Sequence, residues 1–237
     1  MLTFHVVSIF PKMVEEYCNE SILKKAKEKG LVDFKFYNIR DYTKDKHNKV
    51  DDRPFGGGPG MVMTAQPILD CVESITSPQP PSKGGEMSAK TIKRKFKTVI
   101  FVPSATKWTN LEAKKYSKKY TDIILLCGRY EGIDYRVQKI LKAESVSGGD
   151  FVLTGGEIPA MIIIDSISRQ IKGVLGDVNS LEESRKNVLG EEDAGAEEFY
   201  TRPEILEFKN KKYKVPPVFL SGNPKLISEY KLNKKLG

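Results

Sequence analysis

Residues 50–61 read VDDRPFGGGPGM: Asp51, Asp52 and Arg53, then four glycines fenced by Pro54 and Pro59. Glycine costs conformational entropy on folding, so Gly56, Gly57, Gly58 and Gly60 imply positive φ or a close approach to another group. A P-loop would follow its last glycine with Lys and then Ser or Thr, but Gly60 precedes Met61 and Val62. A dinucleotide-binding turn counted from Gly56 would need glycine at residue 61, directly after a strand that NKVDDRP does not form. Two readings remain: a surface Ω-loop, or a loop that brings acid, base and bare backbone against a substrate. The charged triplet beside a rigid turn favours the second.

Three further segments carry the same kind of chemistry: VPSAT (102–106), CGRYEGID (127–134) and SGGDFVLTGGEIP (147–159). Each follows an apolar run. KTVIFVPS and TDIILLC are continuous apolar strands, and ESVSGGDFVL supplies further short ones. Uninterrupted apolar strands alternating with helices indicate a parallel sheet covered on both faces, an α/β fold. Ligands of such sheets sit beyond the carboxyl ends of the strands, so these three exits predict one shared pocket.

The other elements frame that sheet. LTFHVVSIF is a first buried strand, followed by one helix from about Pro11 to Lys29 closed by Gly30. VDFKFYNI alternates as a half-buried strand, and QPILDCVESI is a helix with Pro67 in its first turn. Residues 76–97 are rich in Pro, Gly, Ser and Lys and are expected to form a flexible insertion. TNLE, Thr109 to Glu112, is a capping box opening the next helix, and GGEIPAMIIIDSISRQI is a strongly apolar helix. Residues 176–198 are polar and acidic, a mobile linker. A small helical unit over 199–237 follows, with Asn223 capping NPKLISEYKLNKK and Pro224 at its first position. The expected domains are thus 1–175, the linker, and 199–237.

Composition removes several function classes. The 237 residues are 39% hydrophobic and 30% charged, and no apolar run reaches the roughly 18 residues that cross a bilayer. MLTFHVVSIFPKM lacks a basic n-region, so no signal peptide is expected. Cys18, Cys71 and Cys127 form no Cys-x-x-Cys pair, which argues against disulfides or structural zinc and suits a reducing cytoplasm. His5 and His47 are the only histidines, which limits His-based catalysis. The net charge of +8 fits a polyanionic partner or a solvated basic surface. Lys44, Lys46, Lys49 and Arg53 surround the glycine loop. Lys209, Lys211, Lys212, Lys214, Lys225, Lys231, Lys234 and Lys235, interleaved with Phe208, Tyr213 and Tyr230, load the C-terminal part.

VDDRPFGGGPGM, CGRYEGIDYRV, GDFVLTGGEIPAM, IDSISR, GVLG, YTRPE and PPVFLSGN, in this order, resemble the bacterial tRNA (guanine-N1-)-methyltransferase family, in the SPOUT class. The likeness covers nearly the whole chain apart from 76–97 and the linker. It implies a homodimer, a deep trefoil knot that binds S-adenosylmethionine, a magnesium requirement, and methylation of N1 of guanosine 37 in tRNA. Such a knot does not follow from the order of strands and helices. Carried over by position, Phe101, Val102, Pro103 and Ser104 line one side of the cofactor pocket. Gly128, Tyr130, Glu131 and Gly132 form its second loop. Ser147, Gly148, Gly149, Phe151, Leu153, Gly155, Gly156 and Pro159 form its third. Asp51, Arg53, Gly58 and Gly60 would face a flipped target guanine.

Guanine N1 must lose its proton as the methyl arrives, which needs a base near N1 and a donor for charge growing on O6. Arg169, in SISRQ, matches the family arginine as that donor; helix-end dipole pairing or a phosphate contact are its other uses. The family's aspartate base falls in a stretch here read as Ser180-Leu181-Glu182-Glu183-Ser184-Arg185. An ungapped count puts Ser184 on it and a one-residue shift puts Glu183 there. Glu183 is taken as the base, with Asp51 as stand-in. The sequence also ends at Gly237, earlier than the family pattern, so grip on the anticodon stem is expected to be either reduced or redistributed to the lysines named above. A SPOUT enzyme with another target, or a non-catalytic RNA-binding homologue, would share many of these features.

Overall fold

The computed structural model describes residues 1–77, 94–175 and 199–235, in two compact units, Met1–Gly176 and Asp177–Gly237. In the first unit the elements run β1 (Leu2–Ser8), α1 (Pro11–Cys18), α2 (Ser21–Glu28), β2 (Val32–Asn38), a 3-10 turn (Ile39–Tyr42), β3 (Asp51–Asp52), β4 (Val62–Met63) and α3 (Ala65–Thr76). They continue as β5 (Phe96–Lys107), α4 (Asn110–Lys119), β6 (Asp122–Leu126), α5 (Tyr135–Leu141), β7 (Glu144–Ser147) and α6 (Glu157–Ser168). Five strands make one sheet in the order β2-β1-β6-β5-β7, and every neighbouring pair is parallel. β3 and β4 form a separate antiparallel pair.

The apolar strands are buried on both faces because alternate residues feed two cores. Phe4, Val6, Ile123 and Leu125 join one core, which includes α1 and α6 side chains. Val7, Ile124 and Leu126 join the other, with Ile68, Cys71, Val72 and Ile75 of α3 and Val137 of α5. This is the two-residue period of a strand covered by helices on each side. α6 presents Ala160, Ile163, Ile164 and Ile167 to the first core, one stripe at helical spacing. Each buried isoleucine is worth about 1.5–3 kcal/mol of burial.

The single helix expected over 11–29 is two. Asn19 ends α1, its N–H bonded to the carbonyls of Glu15 and Glu16, and Glu20 is extended before α2 begins. Asn19 and Ser21 are short polar residues that favour caps, and the apolar spacing on either side masked them. The DFVL part of ESVSGGDFVL is loop rather than strand. The ends of the 76–97 segment belong to regular elements. Thr76 closes α3, Phe96 and Lys97 open β5, and the Arg94 guanidinium pairs with Asp122 and lies 4.4 Å from the Phe96 ring. Residues 78–93 and the 176–198 linker, with Glu183 and Ser184, lie outside the described residues.

The second unit is not purely helical. β8 (Ile205–Phe208) and β9 (Lys211–Lys214) form an antiparallel hairpin before α7 (Pro217–Leu220) and α8 (Pro224–Lys235). Its turn residues Lys209 and Asn210 both have positive φ, 49° and 61°, the conformation of a tight hairpin turn. Both strands are exposed along their length. Asn223 caps α8, its side chain accepting from the Lys225 N–H at 3.1 Å. Among the described residues no helix is long and apolar enough to cross a membrane.

Candidate active site

Three strand ends converge as their sequences predict. β5 does not stop at VPSAT. It pairs with β7 at Phe101, breaks register, and pairs again from Thr106 to Lys107. The residues between loop outward, and Pro103 has no N–H to offer the ladder. β6 ends in the turn Gly128–Ile133, where Tyr130 and Gly132 take positive φ. β7 ends at Ser147, whose hydroxyl donates to the Gly149 carbonyl at 2.9 Å.

Between them lies a cavity of about 470 Å³. Its lining includes Phe101, Val102, Pro103, Gly128, Tyr130, Glu131, Gly132, Ser147, Gly148, Phe151, Leu153, Gly155, Gly156 and Pro159. Of the positions expected there, Ser104 and Gly149 are not in the lining. Ile100, Arg129, Ile133, Tyr135, Gln138, Ser145, Val146, Val152 and Thr154 line it without having been singled out. Several of these sat inside quoted motifs, so the motif, rather than its glycines alone, was the usable signal.

Gly156 joins two walls. Its N–H donates to the Gly128 carbonyl at 2.9 Å, and a Cβ there would lie 2.7 Å from the Cys127 Cα. Only glycine lets α6 start that close to the backbone leaving β6.

The glycine loop is stitched to the same pocket. The Glu131 N–H donates to the Met61 carbonyl at 3.0 Å, and the Met63 N–H donates to the Gly132 carbonyl at 2.9 Å. Gly56, Gly57, Gly58 and Gly60 all have positive φ, from 79° to 114°. At Gly60 a Cβ would sit 2.6 Å from the Glu131 side chain, so loop and pocket wall touch there. Asp51 is half-buried in β3 opposite Met63, Arg53 is exposed, and the Phe55 ring is fully exposed at 101%. The Arg53 N–H bond and then Lys49 hold the Asp52 carboxyl below the usual carboxylate range.

Arg169 ends α6, and the cavity touches that helix only near its start, at Pro159. At 1.5 Å of rise per residue the two are roughly 15 Å apart along the axis. The chain therefore does not bring Arg169 to its own cavity wall.

Behind the pocket sits a buried polar chain. Glu157, 1% exposed, accepts from the Ser8 hydroxyl at 2.6 Å and pairs with Arg129 Nε at 2.9 Å. Arg129 also reaches the Thr154 carbonyl and stands 5.0 Å over the Phe10 ring. A second cluster lies at the other end of the strands. His5 contacts Asp122 at 3.0 Å and the Tyr37 hydroxyl at 3.2 Å. Burial pushes the His5 pKa down, and the Asp122 hydrogen bond only partly offsets it. All three cysteines are buried and free, and burial pushes the Cys18 and Cys71 thiols up to about 12, so neither is a nucleophile at neutral pH. No group of three or more His, Cys, Asp or Glu among the described residues could hold a metal ion.

The family pattern described as tRNA (guanine-1)-methyltransferase TrmD matches residues 2–237. The tRNA (guanine-N(1)-)-methyltransferase of Clostridioides difficile (strain 630) is 45% identical over 231 residues, covering 97% of this chain and 90% of that protein. The proteins of the same name from Caldicellulosiruptor saccharolyticus and Campylobacter jejuni (strain 81116) are 43% and 42% identical over 97% of this chain. They are covered over 84% and 90% of their own lengths.

Proposed function

The chain belongs to the tRNA (guanine-1)-methyltransferase family, and from that premise we propose how its own residues perform the reaction. It is an S-adenosylmethionine-dependent enzyme that methylates N1 of a guanine in tRNA. The carrying observation is the continuity between the strand-exit cavity and the glycine loop. Two ligands, one in each, would meet across Glu131 and Gly60. The target is guanosine 37 beside the anticodon, and the protein acts in the cytoplasm.

The cavity suits the methyl donor. Its volume lies within the range of small-molecule sites, and Phe101, Val102, Pro103, Leu153 and Pro159 offer apolar walls for an adenine. Gly128, Gly132 and Gly148 bare the backbone for polar contacts, and the strand exits that form this site are proposed to be threaded as a trefoil knot. When bound, the donor supplies an electrophilic methyl on a sulfonium. Everything else is asked of the protein. Asp51, Arg53, Gly58 and Gly60 hold the flipped guanine edge-on. Glu183 takes the N1 proton, with Asp51 as the alternative base. Arg169 stabilises charge on O6.

Because Arg169 stands a helix length from its own cavity, a second copy supplies it. The surface supports a dimer: Phe10, Met13 and Tyr17 of the α1 region and Ile158 and Ile162 of α6 are exposed apolar side chains. tRNA is gripped by the lysines of the second unit, with the β8–β9 hairpin offering Lys209, Lys211, Lys212 and Lys214. A divalent-ion requirement belongs to the proposal, but the described residues do not form an all-protein magnesium site, and no step here depends on one.

Methyl transfer to an unmodified tRNA transcript with guanosines at 36 and 37, mapped by nucleoside mass spectrometry, tests the assignment. 1-Methylguanosine at 37 is expected. A methylated ribose, or another position, overturns it.

A further inference from the structure

Glu157 has no part in the proposed chemistry and does not line the cavity, yet it is an acid buried at the start of α6. Burying a carboxylate is costly unless it is paired and hydrogen-bonded. Each condition is met by one oxygen: one is hydrogen-bonded, and the other is ion-paired without a hydrogen bond. Ser8 donates to one oxygen, and Ser8 is itself fixed by the Phe10 N–H at 2.8 Å. The other oxygen faces Arg129 Nε. Arg129 does line the cavity, its side chain 18% exposed. Among the described residues the one other charged side chain in the lining, Glu131, lies against Gly60. The pocket therefore carries a guanidinium in one wall and its counter-charge immediately behind.

The two forms of the cofactor differ in charge. The methyl donor is a sulfonium cation at its reacting centre, and the spent product, S-adenosylhomocysteine, is a neutral thioether there. An uncompensated guanidinium in the wall would repel the first and be indifferent to the second.

We propose that Glu157 is a positioning residue that neutralises and holds Arg129, so that the pocket accepts the cationic donor in preference to the neutral product. This rests on the assignment of the cavity to S-adenosylmethionine. Ser8 and the Arg129 contact to the Thr154 carbonyl fix the pair, tying the exits of β1, β6 and β7 together.

Calorimetric titration of the full-length protein at pH 8 with S-adenosylmethionine and with S-adenosylhomocysteine tests it without catalysis. Glu157→Gln keeps the shape and the Ser8 contact while removing the charge. Its affinity for the donor should fall roughly tenfold more than its affinity for the product, the scale of one nearby unit charge in a protein interior. Arg129→Gln should shift the ratio in the opposite direction, toward the donor. The double variant should return it close to that of the unaltered protein. Opposite signs cannot come from general loosening. Should Glu157→Gln fail to fold, the sign of the Arg129→Gln shift and the ratio in the double variant still decide. Equal losses for both ligands in every variant that folds would overturn the proposal and leave the pair as a brace. Failure of the unaltered protein to bind either ligand would overturn the cavity assignment itself.

Discussion

Replacing Gly156 with alanine should damage fold and pocket together, by an amount that can be worked out. The backbone there is ordinary, φ −84° and ψ −4°, so alanine meets no dihedral strain, although at this N-cap position it caps less well than glycine. The obstacle is space. The new methyl would lie 2.7 Å from the Cys127 Cα, 3.0 Å from the Gly128 nitrogen and 3.0 Å from the Phe101 ring. Two of those three are backbone atoms and cannot rotate away, so α6 must back off from β6. Overpacking of this kind costs about 1–3 kcal/mol. A middle value of about 2 kcal/mol lowers Tm by roughly 4–8 °C in a chain of this size. Retreat also stretches the Gly156 N–H bond to the Gly128 carbonyl, which joins two pocket walls. Cofactor affinity should then fall about tenfold, equivalent to about 1.4 kcal/mol. Differential scanning fluorimetry and titration with S-adenosylhomocysteine measure both. Gly57→Ala is the contrast: nothing lies within 4 Å of its Cβ, but φ is 79°. It should strain the loop and slow methylation while leaving cofactor affinity unchanged. An unaltered Tm and Kd in Gly156→Ala would refute the close-approach argument.

Arg169→Ala should cut turnover by roughly two orders of magnitude or more with little change in cofactor Kd, as for a lost charge-stabilising donor; intact single-turnover rates with weaker tRNA binding would make it a phosphate contact. Glu183→Gln should abolish methylation with both ligands still bound and Ser184→Ala should be nearly silent, whereas an active Glu183→Gln enzyme together with an inactive Asp51→Asn would transfer the base to Asp51. The depressed His5 pKa means the buried neutral ring stabilises the fold fully above the unfolded value near 6.5 and loses that contribution as pH falls toward the folded pKa. Tm should therefore drop between pH 7.5 and 5.5, and His5→Gln should flatten that slope; an unchanged slope would mean His5 does not titrate across the transition.

What could be read from the sequence was whatever is local or periodic. Continuous apolar runs gave the parallel sheet, and glycine-rich exits gave the cavity, because backbone approach leaves its mark in composition. The stop at Asn19–Glu20 was hidden because apolar spacing persists on both sides of it. The β8–β9 hairpin was missed because a charged strand with a Lys-Asn turn resembles a solvated basic stretch. The Ser8–Glu157–Arg129 chain could not be seen at all. Its members lie in three separate segments, and an acid inside an apolar helix start reads as a first-turn charge until the strand beside it is placed. Arg169 shows the opposite limit: a role could be carried over to it only from the family resemblance, and one chain leaves it away from the cavity.

The sheet order carries a cost during synthesis. β1 is buried along its whole length between β2 and β6, and 117 positions separate His5 from Asp122. Translation at about 5–20 residues per second leaves roughly 6–23 s between the two strands leaving the ribosome. Through that interval the nascent chain has β2 available but an open apolar edge where β6 will pair, the kind of edge that recruits other chains. Slowed translation before residue 122 should therefore lower soluble yield more than slowed translation after residue 150, even though the finished protein is identical.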